Sequence, residues 1–440
     1  VQLKRLINGF SVKVSANFVL RIFGAILGFG FQTLLARLLG AEKTGIYFLA
    51  MTFTSIGMIL SRVGLDNFLL RSIARYTEPA NQINVLIICK KSIKIVVYLS
   101  ICYSVIILIS ADWISENLFT QTQLANPLRI MALSILPGSL LALHSEMLRA
   151  IREVERSTFI QVLGIPIFCI LLCEPLIYFR SVEGASATYV IASILVCILS
   201  IKFWKNSTLF PKILPSSDAS KKFSTQSILQ DSFPFLWITL LNLLMNSVDI
   251  LLLGIWEDPK VIGIYGIVTR ISTLSIFVLV AVNSVFAPEF ASLYARKDII
   301  SLEAMARKAT GLMLILTLPI FISIFTFSSQ ILSLFGEEYT RGALALSIVT
   351  IGQFINVATG SVGCILMMTG HEKVMQYNSI LCLIANIALN IFLIPKYGLT
   401  GAAISSSLSL ISMNLISAAL VYKKLSILTF PTYVPSFNRK

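Results

Sequence analysis

The constraint that governs this chain is a succession of apolar segments, each about 20 residues long, separated by short polar connections. A helix of that length crosses the hydrocarbon core of a bilayer, where every backbone polar group must be satisfied inside its own segment. Twelve such segments can be laid along the 440 residues, at 15–36, 45–65, 93–111, 124–144, 157–179, 184–204, 233–255, 262–286, 309–333, 342–368, 374–394 and 400–422. Only 13% of the residues are charged against 56% hydrophobic, whereas a soluble domain carries about 25% charged residues. The chain is therefore read as an all-α membrane protein.

The formal charge of +14 would suit a nucleic-acid partner if it lay on one face. It is instead partitioned by connection. With the N-terminus inside, both termini and the even-numbered connections carry most of the 35 Lys and Arg, which places both termini in the cytoplasm and leaves no signal for nucleic acid. The basic start, Lys4, Arg5 and Lys13, runs into an apolar stretch too long for a cleaved signal, so it is expected to be a retained first span. The seven cysteines follow no metal-ligand spacing and read as small packing residues, and no cofactor is implied.

The chain also repeats itself. Gly45-Ile46-Tyr47 returns as Gly263-Ile264-Tyr265, Leu118-Phe119 as Leu334-Phe335, and Ala132-Leu133-Ser134-Ile135 as Ala345-Leu346-Ser347-Ile348. Leu176-Ile177 with Gly184-Ala185 returns as Leu393-Ile394 with Gly401-Ala402. A duplicated six-helix unit predicts two bundles, residues 1–210 and 233–440, joined by a cytoplasmic linker at 211–232 and related by a pseudo-twofold axis along the membrane normal. Segments 66–92 and 288–308 mix charge with apolar residues at helical spacing. They are expected either to lie as amphipathic helices on the surface or simply to join spans. No connection is long enough for a catalytic domain.

Four ionisable residues fall inside the predicted spans: Arg21, Arg62, Asp249 and Arg270. Facing lipid, each would cost about 2.5–3.5 kcal/mol at the helix centre, so they are expected to face a cavity, one another or the membrane edge. Arg62 lies near a span end, where it can snorkel. Polar residues share helical stripes with them: Asn17, Arg21, Gly24, Gly28 and Gln32; Thr239, Asn242, Asn246 and Asp249; Arg270, Thr273 and Ser284. A fourth stripe, Gln353, Asn356, Gly360 and Gly363, serves equally well for close helix packing. Three arginines against one aspartate predict a cationic lumen suited to phosphate, with Arg21, Arg62, Arg270, Asn242 and Asn246 lining it. Asp249 is read either as the partner of Arg270 or Arg21 in a buried salt bridge or as a carboxylate coupled to a proton or sodium ion.

Leu34 to Gly40 followed by Gly45-Ile46-Tyr47, the stretch from Gly64 to Tyr76, Leu334 to Tyr339, and Ile394-Pro395-Lys396-Tyr397-Gly398-Leu399-Thr400-Gly401-Ala402-Ala403 together resemble the polysaccharide transporter family. Within it the resemblance is to Wzx-type O-antigen flippases of the multidrug/oligosaccharidyl-lipid/polysaccharide exporter superfamily. The resemblance implies transfer of an undecaprenyl-pyrophosphate-linked oligosaccharide between leaflets of the bacterial inner membrane, without bond chemistry. It further implies a basic lumen, coupling to an ion gradient, contact with membrane lipid, and a polymerase and chain-length proteins as pathway partners. An ion-coupled drug exporter of the same superfamily is the alternative, although its cationic substrates fit three arginines poorly. A membrane enzyme of polysaccharide assembly fits less well. Its acidic pairs would be Glu257-Asp258 and Glu337-Glu338, which sit at helix ends where solvation explains them.

Overall fold

The computed structural model describes residues 2–75, 82–173, 181–207 and 224–430, with side chains from residue 20 onward save 74–75, 82–84, 238 and 284. Every regular element among them is helical. In chain order these are α1 (Gln2–Arg62), α2 (Leu65–Arg75), α3 (Gln82–Trp113), α4 (Ala125–Ala132), α5 (Ile135–Ala150), α6 (Val154–Thr158), α7 (Ile165–Leu171) and α8 (Val182–Lys205). They continue as α9 (Thr225–Trp256), α10 (Pro259–Ser272), α11 (Ile276–Ala295), α12 (Ile299–Thr326), α13 (Ser328–Ser333), α14 (Ala343–Ala358), α15 (Val362–Met368) and α16 (Glu372–Leu425).

Two elements are double spans. α1 turns at Gly40 (φ 78°) and α16 at Gly398 (φ 53°), so each folds back with no loop, using backbone that side chains with a Cβ rarely adopt. α4 and α5 form one span bent by 47°. With these resolved, the spans long and apolar enough to cross a membrane match the twelve expected segments one for one among the described residues. Large apolar side chains point outward from them, Ile109 at 78% and Phe392 at 69% exposure. In water such exposure would be costly; against lipid it is neutral.

The chain divides into two compact units, Val1–Ser247 and Val248–Lys440, so the division falls inside α9 and not in the linker. The expected linker begins with residues outside those described, and from Thr225 the chain is already helical. In the first unit α2 is amphipathic: Leu65, Leu69 and Ile73, at steps of four, are buried against Met147, Leu148, Val196 and Trp204. Beside it Gly64 (φ 73°) lets backbone meet backbone, since a Cβ there would lie 2.4 Å from the Ser232 carbonyl oxygen of α9. In the second unit Phe290, Leu302, Ala306, Met313 and Val421 form the core.

Three expectations are corrected. The surface helix over 66–92 is confined to α2, because the chain from Gln82 already belongs to the long α3. No separate helix covers 288–308: α11 runs to Ala295 and α12 starts at Ile299, since the apolar spacing there serves the cores of two membrane helices. The four-residue match at Ala132 and Ala345 lies in the fourth span of each half but at different places in its helix. Ala132 ends α4, seven residues after its start, whereas Ala345 is the third residue of α14. The other described matches sit in equivalent places. Tyr47 and Tyr265 each follow a helix start by the same interval and are buried, and Ala185 and Ala402 are both fully buried. Leu176-Ile177 lies outside the described residues.

Candidate functional site

Asp249 lies on α9, in the second unit, buried at 5% exposure. Both limbs of α16 and α10 deliver side chains to it. Asn390, on the first limb, donates from Nδ2 to Asp249 Oδ1 at 2.7 Å. Ser406, on the second limb, donates to Oδ2 at 2.5 Å, and the Tyr265 hydroxyl of α10 donates to the same oxygen at 3.0 Å. Tyr265 and Ser406 also lie 2.7 Å apart, and Asn386 Oδ1 accepts from Asn390 at 3.1 Å. All these partners are neutral. The salt-bridge reading of Asp249 is therefore not realised: hydroxyls and an amide hold the carboxylate, and no guanidinium does so among the described residues.

One atom of the cluster is left over. Asn390 Oδ1 is fully buried and has no hydrogen-bond partner among the described residues, an arrangement that normally costs about 1–3 kcal/mol. The cluster offers carboxylate, amide and hydroxyl oxygens with a single negative charge, a hard-oxygen set that suits a sodium ion or a proton better than a divalent ion, with Asn390 turning its Nδ2 to the carboxylate. No group of three or more His, Cys, Asp or Glu is placed to hold a metal among the described residues. Asn386, Asn390 and Ser406 stand in spans with no charged residue, and the polar stripes read from the sequence do not include them. The signal was an i, i+4 asparagine pair within an otherwise apolar span.

The duplication does not preserve this cluster. At the same offsets, Asp249 corresponds to Phe31, Asn386 to Cys169, Asn390 to Cys173 and Ser406 to Tyr189. Phe31, Cys169 and Tyr189 are buried, so the first unit fills the corresponding depth with apolar bulk.

The arginines have separate surroundings. In the first unit Arg62 is bound to Asp66 at 3.0 Å and donates from Nε to the Met58 carbonyl oxygen at 3.1 Å, which ties the end of α1 to the start of α2. Arg21, half-buried, lies within electrostatic reach of Glu146 and Arg149 on α5. Glu146 in turn feels Arg62 and Asp66 and meets Arg149 at 3.5 Å. The structure thus gathers Arg21, Arg62 and Arg149 with two carboxylates. Glu146 and Arg149 escaped the sequence reading because the fourth span was ended at 144, while α5 continues to Ala150.

In the second unit Arg270 stands in the last turn of α10 and donates from Nη1 to the Gly266 carbonyl oxygen at 3.1 Å. Asn242 and Asn246 are exposed on α9, with Asn246 Nδ2 donating to the Asn242 carbonyl oxygen at 2.6 Å. Two of the stripes are used for packing. A Cβ at Gly24 would meet Val162 at 2.5 Å, and one at Gly360 would meet Thr310 Oγ1 at 2.1 Å. Gln353 accepts from Asn356 at 3.3 Å. The side chains of Asn17 and Ser284 lie outside those described.

Comparison with known proteins agrees with this architecture. A family model described as polysaccharide biosynthesis protein matches residues 11–294, and one described as MatE matches residues 234–392. A probable low-salt glycan biosynthesis flippase of Haloferax volcanii is 22% identical over 404 residues, covering 89% of this chain and 79% of that protein. The capsular polysaccharide biosynthesis protein CapF of Staphylococcus aureus is 24% identical over 236 residues, 53% of this chain and 59% of its own. Among solved structures, the lipid II flippase MurJ in an inward closed conformation matches with a TM-score of 0.76 at 18% identity, covering 92% of this chain and 86% of that one. An inward-facing multidrug resistance MATE transporter matches with a TM-score of 0.71 at 17% identity, over 93% and 98%.

Fold and matches together define a multi-span membrane protein with the two-bundle architecture of about twelve helices seen in the solved transporters it resembles. The chain belongs to the family of polysaccharide biosynthesis proteins.

Proposed function

We propose that this protein moves a polyprenyl-pyrophosphate-linked oligosaccharide, an O-antigen or similar surface-polysaccharide unit on undecaprenyl, out of the cytoplasmic leaflet by alternating access, and that Asp249 couples the movement to a proton or sodium ion. The observation that carries the coupling is the buried carboxylate held only by neutral donors, with Asn390 Oδ1 left unfilled. Both Asp249 oxygens accept hydrogen bonds from neutral donors that a proton or a cation can share, and the neighbouring Asn390 amide oxygen is a further acceptor at the cluster.

A diphosphate and its sugars cannot enter hydrocarbon unaided, because their charges and hydroxyls would lose water without replacement. Arg21, Arg62 and Arg149 in the first unit offer one set of guanidinium donors for phosphate, and Arg270 in the second offers another. Asn242 and Asn246, exposed on α9, supply amides for the sugars. The polyprenyl tail stays in membrane lipid. The site belongs to a bacterial cytoplasmic membrane with both termini inside, alongside a polymerase and chain-length proteins of the same pathway. The alternative, an ion-coupled drug exporter, draws support from the MatE match over 234–392, which contains the Asp249 cluster. The arginines favour the anionic substrate.

The test is export in cells depleted of their own flippase. Arg21→Ala combined with Arg270→Ala should abolish surface polysaccharide, and full export by the double variant would sink the cationic site. Asp249→Asn should remove the dependence of transport on the sodium or proton gradient; unchanged dependence would remove Asp249 from coupling.

A further inference from the structure

The Asp249 cluster lies on three helical limbs whose outward continuations are in register. Asp249, Asn390 and Ser406 are each eight residues from the end of their limb nearest the turn: Glu257 beyond α9, and Gly398 for both limbs of α16. Eight residues of helix rise about 12 Å. The two ends meet, because the Glu257 carboxylate lies against the turn, its Oε1 2.9 Å from where a Cβ on Gly398 would stand. The helical bond from the Glu257 amide to the Leu253 carbonyl oxygen, 2.8 Å, keeps Glu257 stacked above Leu253, as Leu253 is above Asp249.

One turn outward from the cluster, at about 6 Å, each limb carries an apolar residue: Leu253, Ile394 and Ala402, all 0% exposed. Along the axis the order is the Glu257 carboxylate, one apolar layer, then the buried Asp249 carboxylate beside Asn390. Glu257 is not consumed by a neighbouring cation. Lys260, three residues on, binds Glu338 at 3.3 Å, and Glu257 makes no ion pair among the described residues. Burial against the turn, and then the adjacent Asp258 charge, push the Glu257 carboxyl above its ordinary range, so it takes up a proton more readily than a free carboxyl.

We propose that Glu257 is the outer station of the cation path to Asp249, and that Leu253, Ile394 and Ala402 form the apolar layer closing that path in this conformation. The proposal rests on the coupling reading of Asp249 and adds a residue that captures a monovalent cation before the layer opens. A carboxylate at a narrow mouth raises the local cation concentration, so its effect falls on half-saturation and not on the maximal rate.

The full chain in proteoliposomes, with Na+ and H+ gradients imposed separately, provides the test through radioactive sodium uptake and a pH-sensitive dye. Glu257→Gln should raise the half-saturating cation concentration about five-fold or more while keeping maximal flux, and the effect should shrink at high ionic strength. Asp258→Asn, at the exposed neighbour, should change it far less. Leu253→Ala should add a cation leak without substrate. If Glu257→Gln leaves half-saturation unchanged while Asp249→Asn abolishes flux, the outer station is wrong and the coupling site stands. If Asp249→Asn leaves flux intact, both fall.

Discussion

Gly64 offers a prediction whose size can be worked from geometry. Its φ of +73° costs an alanine about 1–2 kcal/mol, partly offset by about 0.4–1 kcal/mol from the stiffer unfolded chain. Its Cβ would also stand 2.4 Å from the Ser232 oxygen, 2.5 Å from the Leu236 nitrogen and 2.9 Å from the Phe235 carbonyl carbon, all backbone of α9. No rotamer change relieves such contacts, so helix must move from helix at about 1–3 kcal/mol further. Gly370 is the matched control. It has φ +78° and nothing within 4 Å of its Cβ, so Gly370→Ala carries the backbone strain alone. We expect Gly64→Ala to lose about 2–4 kcal/mol and Gly370→Ala about 1 kcal/mol or less, seen as a loss of several degrees against one or two in the melting of detergent-solubilised protein followed by tryptophan fluorescence. Equal losses would refute the close backbone approach.

Other substitutions separate packing from charge. Gly360→Ala should destabilise through its contact with Thr310, and Thr310→Ala should restore part of the loss, giving a coupling of about 0.5–3 kcal/mol in a double-mutant thermal cycle. Asp66→Ala should cost about 1–3 kcal/mol by leaving Arg62 without its carboxylate, while Arg62→Met with Asp66→Leu should melt closer to the parent protein. At the start of α12 the Ser301 hydroxyl, and then the Ser301 amide at 3.0 Å, donate to Asp298 and hold its carboxyl below the ordinary range. Because the folded value is the lower one, its contribution is present above the unfolded pKa and is lost as pH falls through the folded one. The melting difference between parent and Asp298→Ala should therefore shrink on acidification.

The spans were legible because lipid imposes one rule, about 20 apolar residues in each, and that rule leaves its mark on local sequence. The repeat was legible where the same backbone need recurs, as at Tyr47 and Tyr265 or Ala185 and Ala402. At Ala132 and Ala345 it names the corresponding span of each half but not the same place in the helix. Asp249 was visible as a charge out of place. Its partners were not, because Asn390 and Ser406 lie 141 and 157 positions away and come together only when α16 folds back at Gly398. The fate of Arg62 depended on a feature the apolar pattern hides, the break at Val63 and Gly64 that brings Asp66 one turn away.

The loss of the polar cluster from the first unit has an energetic consequence. With Phe31, Cys169, Cys173 and Tyr189 in the corresponding places, the coupling proposed for Asp249 has no counterpart there, and a cycle driven through Asp249 alone would carry one monovalent charge. One elementary charge crossing 100 mV releases about 2.3 kcal/mol. That sustains a ratio of about 50 between the two leaflets for a substrate whose own charge does not move against the field. A carrier limited in this way works best when a later step removes the delivered molecule, so the direction of flow is set as much by consumption on the far side as by the ion.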